Sequence, residues 1–213
     1  MPFGWVLATV GYYGPWIAHK AAALTLTGSD MGEFVKFLPD VLDGSLRLVR
    51  QFFYLPPIAV ALSVALLVGS RSLGYSWLLR GAILALAAVA SIQLLPPAWS
   101  PVSLMTSEFC LQPIALGLCW LALGGFWFLG RLPLRATGLV SCGVAAVASI
   151  LSIWQFLNVK STIDMTYDAL PAPAVGWGCV VCIIGLAVLT STGAALVLLA
   201  GNRKLVDIST IKR

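Results

Sequence analysis

AVGWGCVVCIIGLAVLTSTGAALVLLA, residues 174–200, contains no Asp, Glu, Lys, Arg or His. A helix needs about 20 apolar residues to cross a hydrocarbon layer some 30 Å thick. In that layer the backbone must satisfy its own hydrogen bonds, which a helix does within one segment. The stretch therefore predicts a membrane-spanning helix. Working outward from it, five more apolar stretches stand at about 3–27, 49–70, 76–97, 108–130 and 136–158. The 213 residues are 60% hydrophobic and only 10% charged, with mean hydropathy +0.96, where a soluble domain carries about 25% charged residues. The expected fold is all-α: one polytopic transmembrane bundle of about six spans over residues 1–213, with a short amphipathic helix at about 30–38 in the outer interface.

Charge sorts by side. With the first connection outside, the inner side receives Arg71, Arg80, Arg131, Arg135, Arg203, Lys204, Lys212 and Arg213, with Asp207 its one acid. The outer side receives Asp30, Glu33, Asp40, Asp43, Glu108, Asp164 and Asp168, alongside Lys20, Lys36, Arg47, Arg50 and Lys160. Eight of 13 basic residues against one of eight acids fall inside, which places both termini in the cytoplasm and the chain in the cytoplasmic (inner) membrane. The net charge of +5 comes from no basic run or face, so a nucleic-acid partner is not expected. No basic region precedes the first stretch, which is therefore expected to be a span and not a cleaved leader, and Met1-Pro2 is no myristoylation start. Gly14-Pro15 interrupts this stretch. If it is re-entrant, five spans remain and the N-terminus moves outside. Trp16, Trp99, Trp154 and Trp177 fall near outer ends and Trp5, Trp77 and Trp127 near inner ends, as an aromatic belt would, while mid-span Trp120 is expected between helices.

Within residues 30–38, Phe34, Phe37, Leu38 and Val41 recur at i, i+3, i+4 and i+7, one helix face. Ser29 or Asp30 would cap it and Pro39 would end it. So short a helix needs its apolar face covered, either by acyl chains or by docking on a partner subunit or over a cavity. Gln51, Gln93, Gln112 and Gln155, with Asn158, lie a few residues inside the outer ends of spans two to five. They are candidates for interhelical hydrogen bonds, or for an outward polar pocket binding a small molecule. Pro56-Pro57 and Pro113, on the same side, would loosen their helices.

Between their ends, spans two to six hold no Asp, Glu, Lys, Arg or His, which argues against an ion-coupled transporter or pump. His19 is the one histidine and the only candidate axial ligand, so no cofactor is assigned, and a bis-histidine haem within this chain is excluded. Cys110, Cys119, Cys142, Cys179 and Cys182 do not cluster with it, so no metal site is expected. Cys179 and Cys182 form a C-x-x-C, the only feature in the chain resembling a thiol oxidoreductase, but the relay has no second pair. No nucleotide-binding or nucleophile motif gives a catalytic residue, and an enzyme is not expected. Small residues line several spans: the run 81–91, the rows Gly138–Cys142–Ala146 and Ser141–Ala145–Ser149, and Gly117, Gly124 and Gly125. Such rows let helices approach closely, inside the bundle or against another subunit. Thr190, Ser191 and Thr192 are expected to bond the preceding turn.

The segment GYYGPWIAHKAAALTLTG-x-DMGEFVKFLP, residues 11–39, resembles the N-terminal segment of a group of uncharacterised bacterial six-span membrane proteins. The resemblance brings no catalytic or binding residue. It implies that His19 and the helix at 30–38 form one local unit. The expected function is a non-catalytic integral subunit of a larger membrane complex, in transport or energy transduction, whose partners are the lipid bilayer and other membrane subunits. A small-molecule-binding component, like the substrate-binding subunit of an ATP-driven importer, is the alternative, and a membrane thiol oxidoreductase the second alternative.

Overall fold

The computed structural model describes residues 2–19, 25–70, 73–96, 99–166 and 173–211, with side chains as far as Gly201. Lys20, Arg71, Asp168, Lys212 and Arg213, and the side chains of Arg203, Lys204 and Asp207, lie outside that description. The described chain is mostly helical.

Helix α4 will be central because its sequence, LPPIAVALSVALLVG, is apolar on every face. Around α4 (Leu55–Gly69) pack α1 (Pro2–Tyr13), α5 (Trp77–Ser91), α6 (Leu111–Gly124), α7 (Phe126–Leu129), α8 (Leu134–Thr166) and α9 (Trp177–Ile211). Burial separates centre from rim: 78% within the stretch containing α4, against 17% within that of α5. Among the described residues four helical stretches are long and apolar enough to cross a membrane: Arg50–Gly69, Trp77–Leu94, Leu134–Met165 and Trp177–Gly201. The apolar helix Leu111–Gly124 is shorter. Pro56 and Pro57 do not loosen α4. They stand in its first turn, where no intrahelical donor is needed, as does Pro113 in α6. Pro56 cannot donate to Phe52 O, and the Ser152 hydroxyl of α8 does so instead at 2.8 Å.

The first apolar stretch departs from the expected single span over 3–27. α1 stops at Tyr13, and the chain turns into β1 (Pro15–Ala18), which pairs antiparallel with β2 (Leu26–Thr27) and with β3 (Ala174–Val175). Pro15 is the cause. It has no N–H for Gly11 O, and Trp16 Nε1 takes that carbonyl at 3.1 Å. The twelve residues of α1 reach roughly 18 Å, well short of a bilayer's hydrocarbon core. Trp16 is consequently buried, edge-on to Tyr12, Phe53 and Phe156 at 5.6–6.3 Å. It is no belt residue, and neither is buried Trp5, whereas Trp77, Trp99, Trp127, Trp154 and Trp177 are exposed.

Glycine decides how close the helices come. Gly4, Ala8 and Gly11 of α1 face Gly178, Cys182 and Gly185 of α9, running antiparallel with backbone against backbone. Gly138 and Cys142 of α8 meet Gly193 of α9 in the same way, so this row is spent inside the bundle. Thr190 and Thr192 bond the carbonyls of Leu186 and Val188.

β2 leads directly into α2 (Gly28–Phe34), followed by a 3-10 turn at Val35–Phe37 and by α3 (Pro39–Leu42). The cap is Thr27 rather than Ser29 or Asp30. Leaving β2 extended, Thr27 accepts from the Asp30 N–H, and the Asp30 carboxylate accepts from the Thr27 N–H, a capping box. Gly28 lies on Trp16, and Gly32 on Tyr54, where a Cβ would stand 2.5 Å from the hydroxyl.

Trp120 of α6 donates from Nε1 to Ser91 Oγ (3.0 Å) and Ala88 O (3.3 Å) of α5, fastening two helices that share little other burial. Trp120→Phe keeps the ring and removes the donor. The thermal midpoint in detergent is expected to fall by the equivalent of about 0.6–1 kcal/mol. An unchanged midpoint would show that the bond contributes nothing.

Candidate functional site

The charged residues that composition left scattered converge at the end of the bundle that carries the small sheet. Glu33 of α2 is the hub. Its carboxylate accepts from Tyr54 Oη (3.0 Å) and Gln112 Nε2 (3.3 Å), pairs with Lys36 Nζ (2.9 Å) and lies 3.8 Å from Arg50 Nη1. Gln112 Nε2 also donates to Tyr54 Oη at 2.8 Å. Glu108 receives Lys36 (3.0 Å) and Arg50 Nη1 (3.3 Å), and its backbone oxygen receives Arg50 Nη2. Lys36 and Arg50 both stand 5.1 Å from the Phe109 ring centre, within cation–π range. Burial pushes the Glu33 carboxyl up, but donation from Lys36, Tyr54 and Gln112 outweighs it, leaving the group below its ordinary 4.5. Burial likewise pulls Lys36 down, and Glu33 and Glu108 more than restore it, so its net shift is upward. Two acids and two bases thus neutralise each other, with Glu33 and Arg50 mostly buried and Glu108 half-exposed. The arrangement ties α2 to the start of α4 and to α6.

Of the five amides, the structure brings Gln112 into this network. Gln51 and Asn158 are half-buried, and Gln155 is buried. Gln93 Oε1, Gln112 Oε1 and Gln155 Nε2 are buried with no hydrogen-bond partner among the described residues. Of the docking face, Leu38 is fully buried, Phe34 and Val41 pack partly against the core, and Phe37 points outward, 66% exposed. The inward face of this segment is Met31, Val35 and Leu38, covered by the chain itself. His19 follows β1, and its carbonyl accepts from Thr25 Oγ1 at 3.1 Å, in the hairpin that continues into α2.

Cys179 and Cys182 are buried free thiols of α9, and Cys182 lies against Gly11 of α1. An apolar maleimide is expected to spare Cys182 in the folded protein and to label it after unfolding. Labelling of the native protein at the denatured rate would show that this seam opens. No group of three or more His, Cys, Asp or Glu among the described residues could hold a metal ion.

Comparison with family models, curated proteins and solved structures finds no match.

A second feature lies on the flank. α1 and α5 do not close over α4, and a groove of about 360 Å³ runs between them, floored by Val60, Val64 and Trp5 and walled by Val10, Ile83 and Ala87. Its lining is almost wholly apolar. Tyr13 Oη bridges it at the sheet end by donating to Ala90 O at 3.3 Å. Sequence reasoning missed the groove, because it exists only where α1 is too short and too tightly drawn to α9 to meet α5. It also missed Tyr54 and the meeting of Glu33, Arg50 and Glu108. The opposite signs of those charges were visible, but nothing in the sequence pairs them.

Proposed function

We propose that the chain is a non-catalytic integral membrane subunit of a larger membrane assembly, of a transporting or energy-transducing kind. In this reading α4, α5, α8 and α9 cross the bilayer, α6 and α7 together make a fifth crossing, and α1 enters only part-way. The sorting of basic residues into alternate connections along the sequence supports a cytoplasmic C-terminus and an inner-membrane location. The resemblance of residues 11–39 to bacterial six-span membrane proteins points the same way.

The observation that carries the subunit reading is the outward surface of α5 and α6. Gly81, Gly117 and Gly124 have open space where a Cβ would stand, on helices whose Leu86, Leu118 and Leu121 are exposed. Glycine costs a helix stability and is retained where another helix comes close. The self-neutralised charges at the sheet end and the buried thiols support a role without chemistry. The test is native mass spectrometry of the protein extracted gently from its own membrane. Stoichiometric partner chains are expected, lost on Gly117→Leu with the thermal midpoint unchanged. A lone chain, or partners indifferent to that substitution, would overturn the reading. The apolar groove favours a second reading, a component that binds a small apolar molecule, and a bound small mass on an otherwise lone chain would support it.

A further inference from the structure

Arg80 lies one turn before Ile83 on the face of α5 that also carries Ala87 and Ala90, so it stands in line with the groove at the end away from the sheet. Its Nε is buried and has no hydrogen-bond partner among the described residues. The Arg80 guanidinium forms no ion pair among the described residues and the residue is only partly buried, so its outer nitrogens can take an anionic acceptor at this end of the groove. We propose that the groove between α1 and α5 holds one acyl chain of an anionic phospholipid whose phosphate pairs with Arg80. The proposal rests on the reading of the chain as membrane-embedded.

Size supports that occupant. The groove follows α1, which is roughly 18 Å long at 1.5 Å per residue. At about 360 Å³ the groove is a shallow apolar channel along that length. A single extended hydrocarbon chain fits. Arg80 to Ala90 is ten residues, roughly 15 Å of helix, which is half of a hydrocarbon core about 30 Å thick. A phosphate at Arg80 therefore sends one tail through one leaflet to the bridge made by Tyr13. The tail only exchanges one hydrocarbon surrounding for another, so fit alone selects no lipid. Selection comes from the cation, which favours a headgroup of net negative charge.

The test uses the full chain in nanodiscs of equimolar phosphatidylcholine and phosphatidylglycerol, with lipids retained on release counted by native mass spectrometry. One phosphatidylglycerol is expected to remain in preference to phosphatidylcholine. Arg80→Gln should lower its occupancy about tenfold, the usual worth of a charge-assisted hydrogen bond. Val10→Trp, on the half-exposed rim, should lower retention of both lipids by filling the groove, and thermal midpoints equal to wild type would show both variants folded. Equal retention in Arg80→Gln and wild type overturns the site, as does a protein chain released by Val10→Trp. A chain that enters nanodiscs but shows no lipid preference overturns the site alone. One that stays out of them overturns the membrane reading as well.

Discussion

Gly11→Val is expected to abolish the folded bundle. A Cβ at Gly11 would stand 2.6 Å from Cys182 Cα and 2.7 Å from Gly178 O, and one at Gly185 2.6 Å from Ala8 Cα. Every one of these obstacles is backbone, so no side chain can swing aside. Overpacking usually costs about 1–3 kcal/mol, and a clash between two backbones belongs at or above the top of that range. Against a total stability of about 5–15 kcal/mol, α1 would be driven off α9 and the aromatic cluster around Trp16 opened. Size-exclusion in mild detergent should show loss of the monodisperse species for Gly11→Val and for Gly185→Val. Gly117→Leu, made where a side chain meets nothing, should keep it. A Gly11→Val protein melting with wild type would refute the backbone seam.

Glu33→Leu should be the most damaging change to a charged residue at the sheet end. It strips the acceptor from the buried Tyr54 hydroxyl, one of two acceptors from the buried Gln112 amide, and one partner each from Lys36 and Arg50, which retain Glu108. Orphaning buried donors costs about 1–3 kcal/mol apiece. Lys36 and Arg50 relax toward water, so the net loss should be about 2–4 kcal/mol. Glu33→Gln keeps an acceptor oxygen and should lose about half as much. The pH dependence follows from the direction of the shift. The folded carboxyl titrates below the ordinary 4.5, so its contribution is complete above 4.5 and drains away as pH falls through the lower, folded value. Melting between pH 7 and pH 3 should show wild type losing its advantage over Glu33→Leu only in the acid limb. A constant gap across the range would mean the carboxylate's charge plays no part.

What could be read from the residues was whatever depends on a continuous run. The stretches holding α4, α5, α8 and α9 are apolar for long enough that hydropathy alone locates them, and 108–130 became 111–129 with a joint at Gly125. The first stretch failed because one residue outweighed its hydropathy: Pro15 withdrew a donor and turned a continuing helix into a strand. The face of the segment after Gly28 failed for a rotational reason. Beyond Phe34 the chain tightens to a 3-10 turn of three residues. That turns Leu38 inward and Phe37 outward, where an unbroken α-helix would keep both on one side. The depth of the amides was legible, but their partners were not. Gln112 finds Tyr54 across 58 residues and Glu33 across 79, distances over which no local pattern operates.

The seam between α1 and α9 also sets a schedule. α1 is made before α9, the helix that seats it, and α2 to α8 are made between them. At about 5–20 residues per second, a ribosome takes roughly 8–30 s to travel from Tyr13 to Trp177. Through that interval a helix too short to cross the bilayer waits with its glycine face uncovered, and closure of the seam hangs on the arrival of α9. A chain released early, anywhere before Trp177, is left with an N-terminal helix that has no seat.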